Sequence, residues 1–201
     1  VHVIDDVALG RRQMIKDYLA LEDLIRVRYA SVTWTHKIQE KQAEIYERRY
    51  GIIATINILA ASITSAGIIS TVFAGQAWIK IVSAVVSFVT VFLSALLKSF
   101  DFQNMAKANK ATATKLVILR DELLLLLYKV KHQAQPLAEL IETFDSIQVR
   151  VHAAYQEAPQ TSDRAVKKAE TALIIRNDDT YTDEQIDELL PESLRRGASH
   201  E

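Results

Sequence analysis

A chain of 201 residues with a net charge of −1 is long enough for one domain and a tail, and carries no global field pointing to nucleic acid or an acidic partner. It has no cysteine, which excludes disulfides and zinc–thiolate centres and fits a reducing cytosolic face. A mean hydropathy of +0.05 is ordinary for a globular protein, but the charged residues (24% of the chain) crowd the flanks and leave the middle bare.

The opening "VHVIDDVALGRR" places acids before bases and has no apolar run of signal-peptide length. Over residues 5–49 the apolar positions Met14, Tyr18, Leu21, Leu24, Ile25, Tyr29 and Val32 step by three and four, the helical period. The β-branched "SVTWT" at 31–35 marks a kink or a short interruption, so the segment reads as one helix or two. "HKIQEKQAEIYERRY" then resumes with Ile38, Ile45 and Tyr46 on one side. Residues 1–50 are therefore expected to be a cytoplasmic, coiled-coil-like amphipathic helix with one packing stripe.

Between Tyr50 and Lys98 the only charge is Lys80. The run divides at "AGQAW", residues 74–78, into 51–73 and 79–97, each of which spans about 28–34 Å as a helix. A bilayer core is ~30 Å thick, and a soluble core helix seldom stays apolar on every face for so long. The alternative, a buried hairpin inside a soluble bundle, is the weaker fit. The second half holds twelve Ile, Leu, Val or Phe residues and four hydroxyls; the first holds ten, with Asn57 and six hydroxyls. Segment 79–97 thus reads as the anchor and 51–73 as the half that benefits from a polar neighbour. Lys37, Lys41, Arg48 and Arg49 precede the hairpin, and Lys98, Lys107, Lys110 and Lys115 follow it. That bias places both termini in the cytoplasm of a bacterial inner membrane, with Arg48, Arg49, Tyr50 and Lys98 at the inner interface and Trp78 at the outer one.

Residues 99–158 read as a second long cytoplasmic helix with a kink or restart near Pro136. Its stripe is Leu116, Leu119, Leu123, Leu126 and Val130, followed by apolar positions at 137, 140, 141, 144, 147, 151 and 155. This part is expected to pack back on the first helix as a bundle. Residues 159–201 form a polar tail with short helices, the second opened by Thr182 and Gln185 in capping-box spacing and carrying Ile186, Leu189, Leu190 and Leu194. The fold class is an all-α membrane protein: a two-pass transmembrane hairpin extended by long helices.

Little here resembles a catalytic centre. The five histidines (2, 36, 132, 152 and 200) have no metal-ligand spacing, and no phosphate loop or nucleophile elbow is present. Asp178, Asp179, Asp183 and Glu184 lack the glycine and spacing of a calcium loop and read as a solvated helix start. No catalytic residue, cofactor, metal or direct nucleic-acid binding is expected, and the protein reads as no enzyme. The informative residues are the polar ones in the hairpin. Asn57, Thr64 and Thr71 repeat every seven residues on one face, and Ser83, Ser87, Thr90 and Ser94 line one side of the second segment. Ser62, Ala66 and Ser70 make a small-residue run for close packing, and Gly67 begins another. The polar stripe serves either as interhelical glue or as the wall of a hydrated pore in a homo-oligomer.

A helix ending in "HKIQEKQAEIYERRY", a tight hairpin, then "KSFDFQNMAKANKATATKLVILRDELLLLL" resembles the SLATT domain, over about residues 10–155. These are two-transmembrane effector domains found beside nucleotide-generating and nucleotide-sensing bacterial defence genes. The resemblance implies a pore-forming or membrane-disrupting antiviral effector in the lipid bilayer. It also implies a trigger from a defence partner: a nucleotidyltransferase, a nucleotide sensor or a reverse transcriptase. Two other readings stand beside it: a constitutive two-pass scaffold that recruits a cytosolic partner through its helices, and a soluble α-helical pore-forming toxin.

Overall fold

The computed structural model describes the backbone of residues 2–74, 77–192 and 195, and their side chains except those of 2–12, 66–74 and 79. Among the described residues every regular element is a helix: α1 (His2–Ala74), α2 (Ala77–Ser99), α3 (Phe102–Lys131), α4 (Leu137–Gln156), α5 (Asp163–Glu170) and α6 (Asp183–Leu189).

α1 has 73 residues and no proline, and at about 1.5 Å per residue reaches on the order of 110 Å. Of the two readings left open at "SVTWT", one helix or two, the single continuous helix is the one observed. Thr33 and Thr35 donate their hydroxyls to the carbonyls of Tyr29 (2.8 Å) and Ser31 (2.9 Å), so their polar groups are satisfied within the helix.

α3 runs antiparallel to α1, so that Phe102 meets Tyr46 at one end and Gln135 meets Tyr18 at the other. At Pro136 the chain reverses rather than kinks. Proline cannot continue the hydrogen-bond ladder, Gln133 adopts φ 46°, and α4 starts afresh after Pro136. Glu122 with Arg150 and Lys115 with Glu157 fix α3 and α4 as an antiparallel pair. Tyr18, Leu21, Ile25 and Val32 of α1, the whole Leu116–Val130 stripe of α3, and Leu140, Phe144, Ile147 and Val151 of α4 form one core. Met14 and Leu24 stay exposed. Leu24 precedes Ile25, which occupies the seam, and one helix face cannot bury both.

The tail is a strap rather than a free end. After α4 the chain climbs along α1: Gln39 Nε2 donates to the Pro159 carbonyl (3.1 Å), and Gln42 Oε1 accepts from the Ser162 amide (2.9 Å). α5 then packs on α1 and leads into a widened π-type turn, Thr171–Ile175, with Ala165, Ala169 and Ala172 fully buried. Thr182 and Gln185 form the expected capping box, but α6 buries nothing and Leu189 is exposed. Leu194 lies outside the described residues.

Candidate functional site

Past Tyr50, α1 leaves the bundle and α2 returns beside it, antiparallel. Asn57 stands 17 residues before Ala74 and Ser94 stands 17 after Ala77, and the two face each other. Asn57 Nδ2 donates to Ser94 Oγ at 3.1 Å, and Ser94 Oγ donates to Asn57 Oδ1 at 3.3 Å. Among the half-buried or buried positions of the described hairpin, Ala54, Asn57, Ala60 and Thr64 from α1 and Ser83, Ser87 and Thr90 from α2 are small or polar, while Ile53, Val86, Leu93, Leu96 and Leu97 are aliphatic. The small and hydroxyl residues let the backbones approach closely. Six of the polar residues singled out in the sequence therefore sit along one contact line. Thr71 and the packing candidates Ala66, Gly67 and Ser70 lie outside the described side chains, and Ser62 is on the outer face.

The outer faces are mostly apolar. Ile56, Ile58, Leu59 and Ile63 of α1, and Ile81, Val85, Phe88, Val91 and Phe92 of α2, are all at least 47% exposed. Ser62 and Ser65 interrupt this surface, but their hydroxyls donate to the carbonyls of Ile58 (2.9 Å) and Ala61 (3.0 Å), inside their own helix. A hydroxyl spent that way costs little in apolar surroundings. Among the described residues one helix is long and apolar enough to cross a membrane. It contains an 18-residue window of mean hydropathy 2.2, none of it buried, in the stretch that begins at Lys80.

Where hairpin meets bundle, aromatic rings gather. Phe100 stacks on Phe102 at a centroid distance of 5.7 Å, and Tyr46 lies 6.2 Å from Phe102. Asp101 breaks the chain between α2 and α3 and caps α3 by accepting from the Asn104 amide at 3.2 Å. Arg48, Arg49 and Lys98 are exposed at this level and Tyr50 is half-buried, while Trp78 is exposed at the far end.

A buried polar latch ties the strap to α1, and periodicity of apolar residues gave no sign of it. Lys37, Gln39 and Gln42 are all under 5% exposed. Lys37 Nζ contacts Glu40 (2.8 Å) and Asp179 (3.0 Å), and Arg120 of α3 approaches Asp179 at 3.7 Å. Asp179 is thus a structural anion, not part of a solvated helix start. Burial pulls the Lys37 ammonium down, but its pairing with Glu40 and Asp179 outweighs that and leaves it above the ordinary lysine value. Beside it, His36 Nδ1 lies 2.9 Å from the Ala113 carbonyl, which only accepts, so Nδ1 carries the proton. Burial lowers the His36 pKa despite that hydrogen bond. No group of three His, Cys, Asp or Glu residues among the described ones is arranged to hold a metal ion.

The model of a sequence family described as "SMODS and SLOG-associating 2TM effector domain family 4" matches residues 21–185. That match covers the bundle, the hairpin and the α5 strap, and runs past the end of α4 into α6. No curated protein and no solved structure matches, so the family match stands without a structural relative.

Proposed function

The chain belongs to the SMODS and SLOG-associating 2TM effector domain family, membrane effectors linked to nucleotide-related defence systems, and from that premise we propose that it crosses a bacterial inner membrane twice and permeabilises it as a homo-oligomer. The observation that carries the reading is the hairpin's surface. The nine large apolar side chains named above project from it, each at least 47% exposed. Burying one such side chain is worth about 1.5–3 kcal/mol, so leaving nine half-wet forgoes on the order of 10 kcal/mol. That equals the whole stability of an ordinary domain, about 5–15 kcal/mol. A bilayer supplies the missing cover. Lys and Arg flank the hairpin at the bundle end, a bias that supports a cytoplasmic bundle, strap and termini. The bundle is the part a defence partner reaches, and it transmits a signal to the hairpin through the unbroken α1. No catalytic step is assigned to the chain.

Because Asn57 and Ser94 engage each other within one chain, the hydroxyls that face outward toward a neighbouring copy or water include, among the described side chains of α1, Thr55, Ser62 and Ser65, the two serines through the acceptor capacity left beside their bonds to Ile58 and Ala61. Dye release from vesicles carrying the full chain tests the reading. Release is expected, reduced when Thr55, Ser62 and Ser65 are replaced by Leu. Intact vesicles in which carbonate extraction proves the chain inserted and cross-linking proves it oligomeric would sink the pore.

The same Asn57–Ser94 contact favours a second reading, a two-pass scaffold that recruits a cytosolic partner. Its seam is satisfied internally, and α6 offers Ile186 and Leu189 to a docking surface. A scaffold leaves vesicles sealed in both wild type and triple variant.

A further inference from the structure

At the level where α1 passes from charged to apolar, α5 lies alongside it and closes a cleft of about 190 Å³. Its lining is Ile45, Arg48, Arg49 and Ile52 from α1 and Arg164 and Lys168 from α5: four cations and two isoleucines. Arg164 and Lys168 are four residues apart and share a helix face; Arg48 and Arg49 come from the opposite wall. No carboxylate lines the cleft, and among the described residues none of the four has a carboxylate within ion-pair distance, although Lys37, Lys41, Lys115, Arg120, Arg150 and Arg176 all do. Gathering four like charges around one concavity is unfavourable until an anion enters.

We propose that this cleft binds a phosphate-bearing anion at the membrane surface. Three guanidinium forks match the paired oxygens of a phosphate, and the lysine adds a point charge. Ile45 and Ile52 give the cleft an apolar wall on the side where α1 enters its apolar run, the arrangement suited to a headgroup whose chains continue along the hairpin. A phosphate seated there bridges α1 and α5, and so clamps the strap whose other ends are Gln42 and Lys37. The shared chemistry is a phosphate monoester or diester. An anionic lipid headgroup and a free phosphate are its two sources, and only the lipid source rests on the membrane reading above.

The test uses the full chain in neutral detergent, with R164Q/K168Q on one wall, R48Q/R49Q on the other, and R26Q as a control cation remote from the cleft. Native mass spectrometry reads retained phosphatidylglycerol against phosphatidylcholine, and a thermal melt reads protection by inorganic phosphate. Each near-surface cation contributes about 1 kcal/mol toward an anionic headgroup, so either double variant is expected to lose on the order of tenfold or more in phosphatidylglycerol retention, while R26Q loses none. That result identifies a lipid site. Protection by inorganic phosphate that both double variants abolish, without lipid selectivity, identifies a free-phosphate site. Double variants of unchanged helicity that match wild type in both measurements overturn the proposal. Carbonate extraction run in parallel keeps the two readings apart: a chain washed from membranes removes the bilayer hypothesis, and the phosphate melt still decides the cleft.

Discussion

Asn57 and Ser94 exchange two hydrogen bonds across the hairpin, at 3.1 and 3.3 Å, toward the bundle end of a seam otherwise made of alanine, serine, threonine and aliphatic side chains. Asn57→Leu makes the first segment more apolar and so eases its insertion, yet it removes the hydrogen-bonded link between α1 and α2. Interhelical hydrogen bonds of this kind contribute ~0.6 kcal/mol on average and up to about 1.7 kcal/mol. A double-mutant cycle of N57L and S94A, read by unfolding in detergent, is expected to give a coupling within that range. Strict additivity would show that the pair contributes nothing beyond packing.

The Lys37–Asp179 contact predicts how the strap is released. Asp179→Asn leaves a lysine of 5% side-chain exposure with Glu40 as its remaining carboxylate contact among the described residues, and leaves Arg120 with Asp121 alone. A hydrogen bond to a charged group is worth about 1.5–3 kcal/mol. Amide exchange in residues 163–175 should therefore speed roughly tenfold or more, while exchange in the core of α3 stays unchanged. Equal acceleration in both regions would mean the strap and the bundle open together.

The apolar stripes of α3 and α4 were legible because each helix packs through one face, and a residue's period is then its burial. Leu116, Leu119, Leu123, Leu126 and Val130 are all at or below 5% exposure. α1 was less legible for two physical reasons. Leu24 and Met14 fit the period, but the partner helices do not reach that side. Lys37, Gln39 and Gln42 are buried by pairing with Asp179, Pro159 and Ser162, residues more than a hundred positions away, and no local pattern encodes that. The signal that could have revealed the strap was Ala165, Ala169 and Ala172. These are small residues at helical spacing in a segment otherwise polar, the mark of a helix lying close on another. Arg164 and Lys168 carry no such signal, since a cleft between distant segments has no sequence signature of its own.

Leu123 and Ile25 meet the interior at full burial, so their truncation measures how far the bundle depends on its core. Leu123→Ala and Ile25→Ala are each expected to cost about 2–5 kcal/mol through lost transfer energy and the cavity left behind. Leu124→Ala, one position along and 53% exposed, should cost well under ~1 kcal/mol. Thermal denaturation of the three variants checks the contrast, and similar losses at 123 and 124 would contradict the assigned helix face.

His36 makes the bundle sensitive to acid. Its folded-state pKa is lowered from 6.5 because burial disfavours the imidazolium, an effect that the Ala113 hydrogen bond and Glu40 only partly oppose. The unfolded chain therefore takes up the proton first as pH falls. The stability that neutral His36 contributes is complete above about pH 6.5 and is lost as pH falls through the folded-state value. Wild type is expected to lose melting temperature between pH 7.5 and pH 5 more steeply than His36→Gln, whose amide keeps a donor for the Ala113 carbonyl but does not titrate. Carboxylates such as Glu122, held below the usual range by Arg150, keep their stabilising contribution over this interval and lose it only at lower pH, so the difference between the two curves isolates the histidine. Parallel curves over that interval would remove His36 as the source of the acid response.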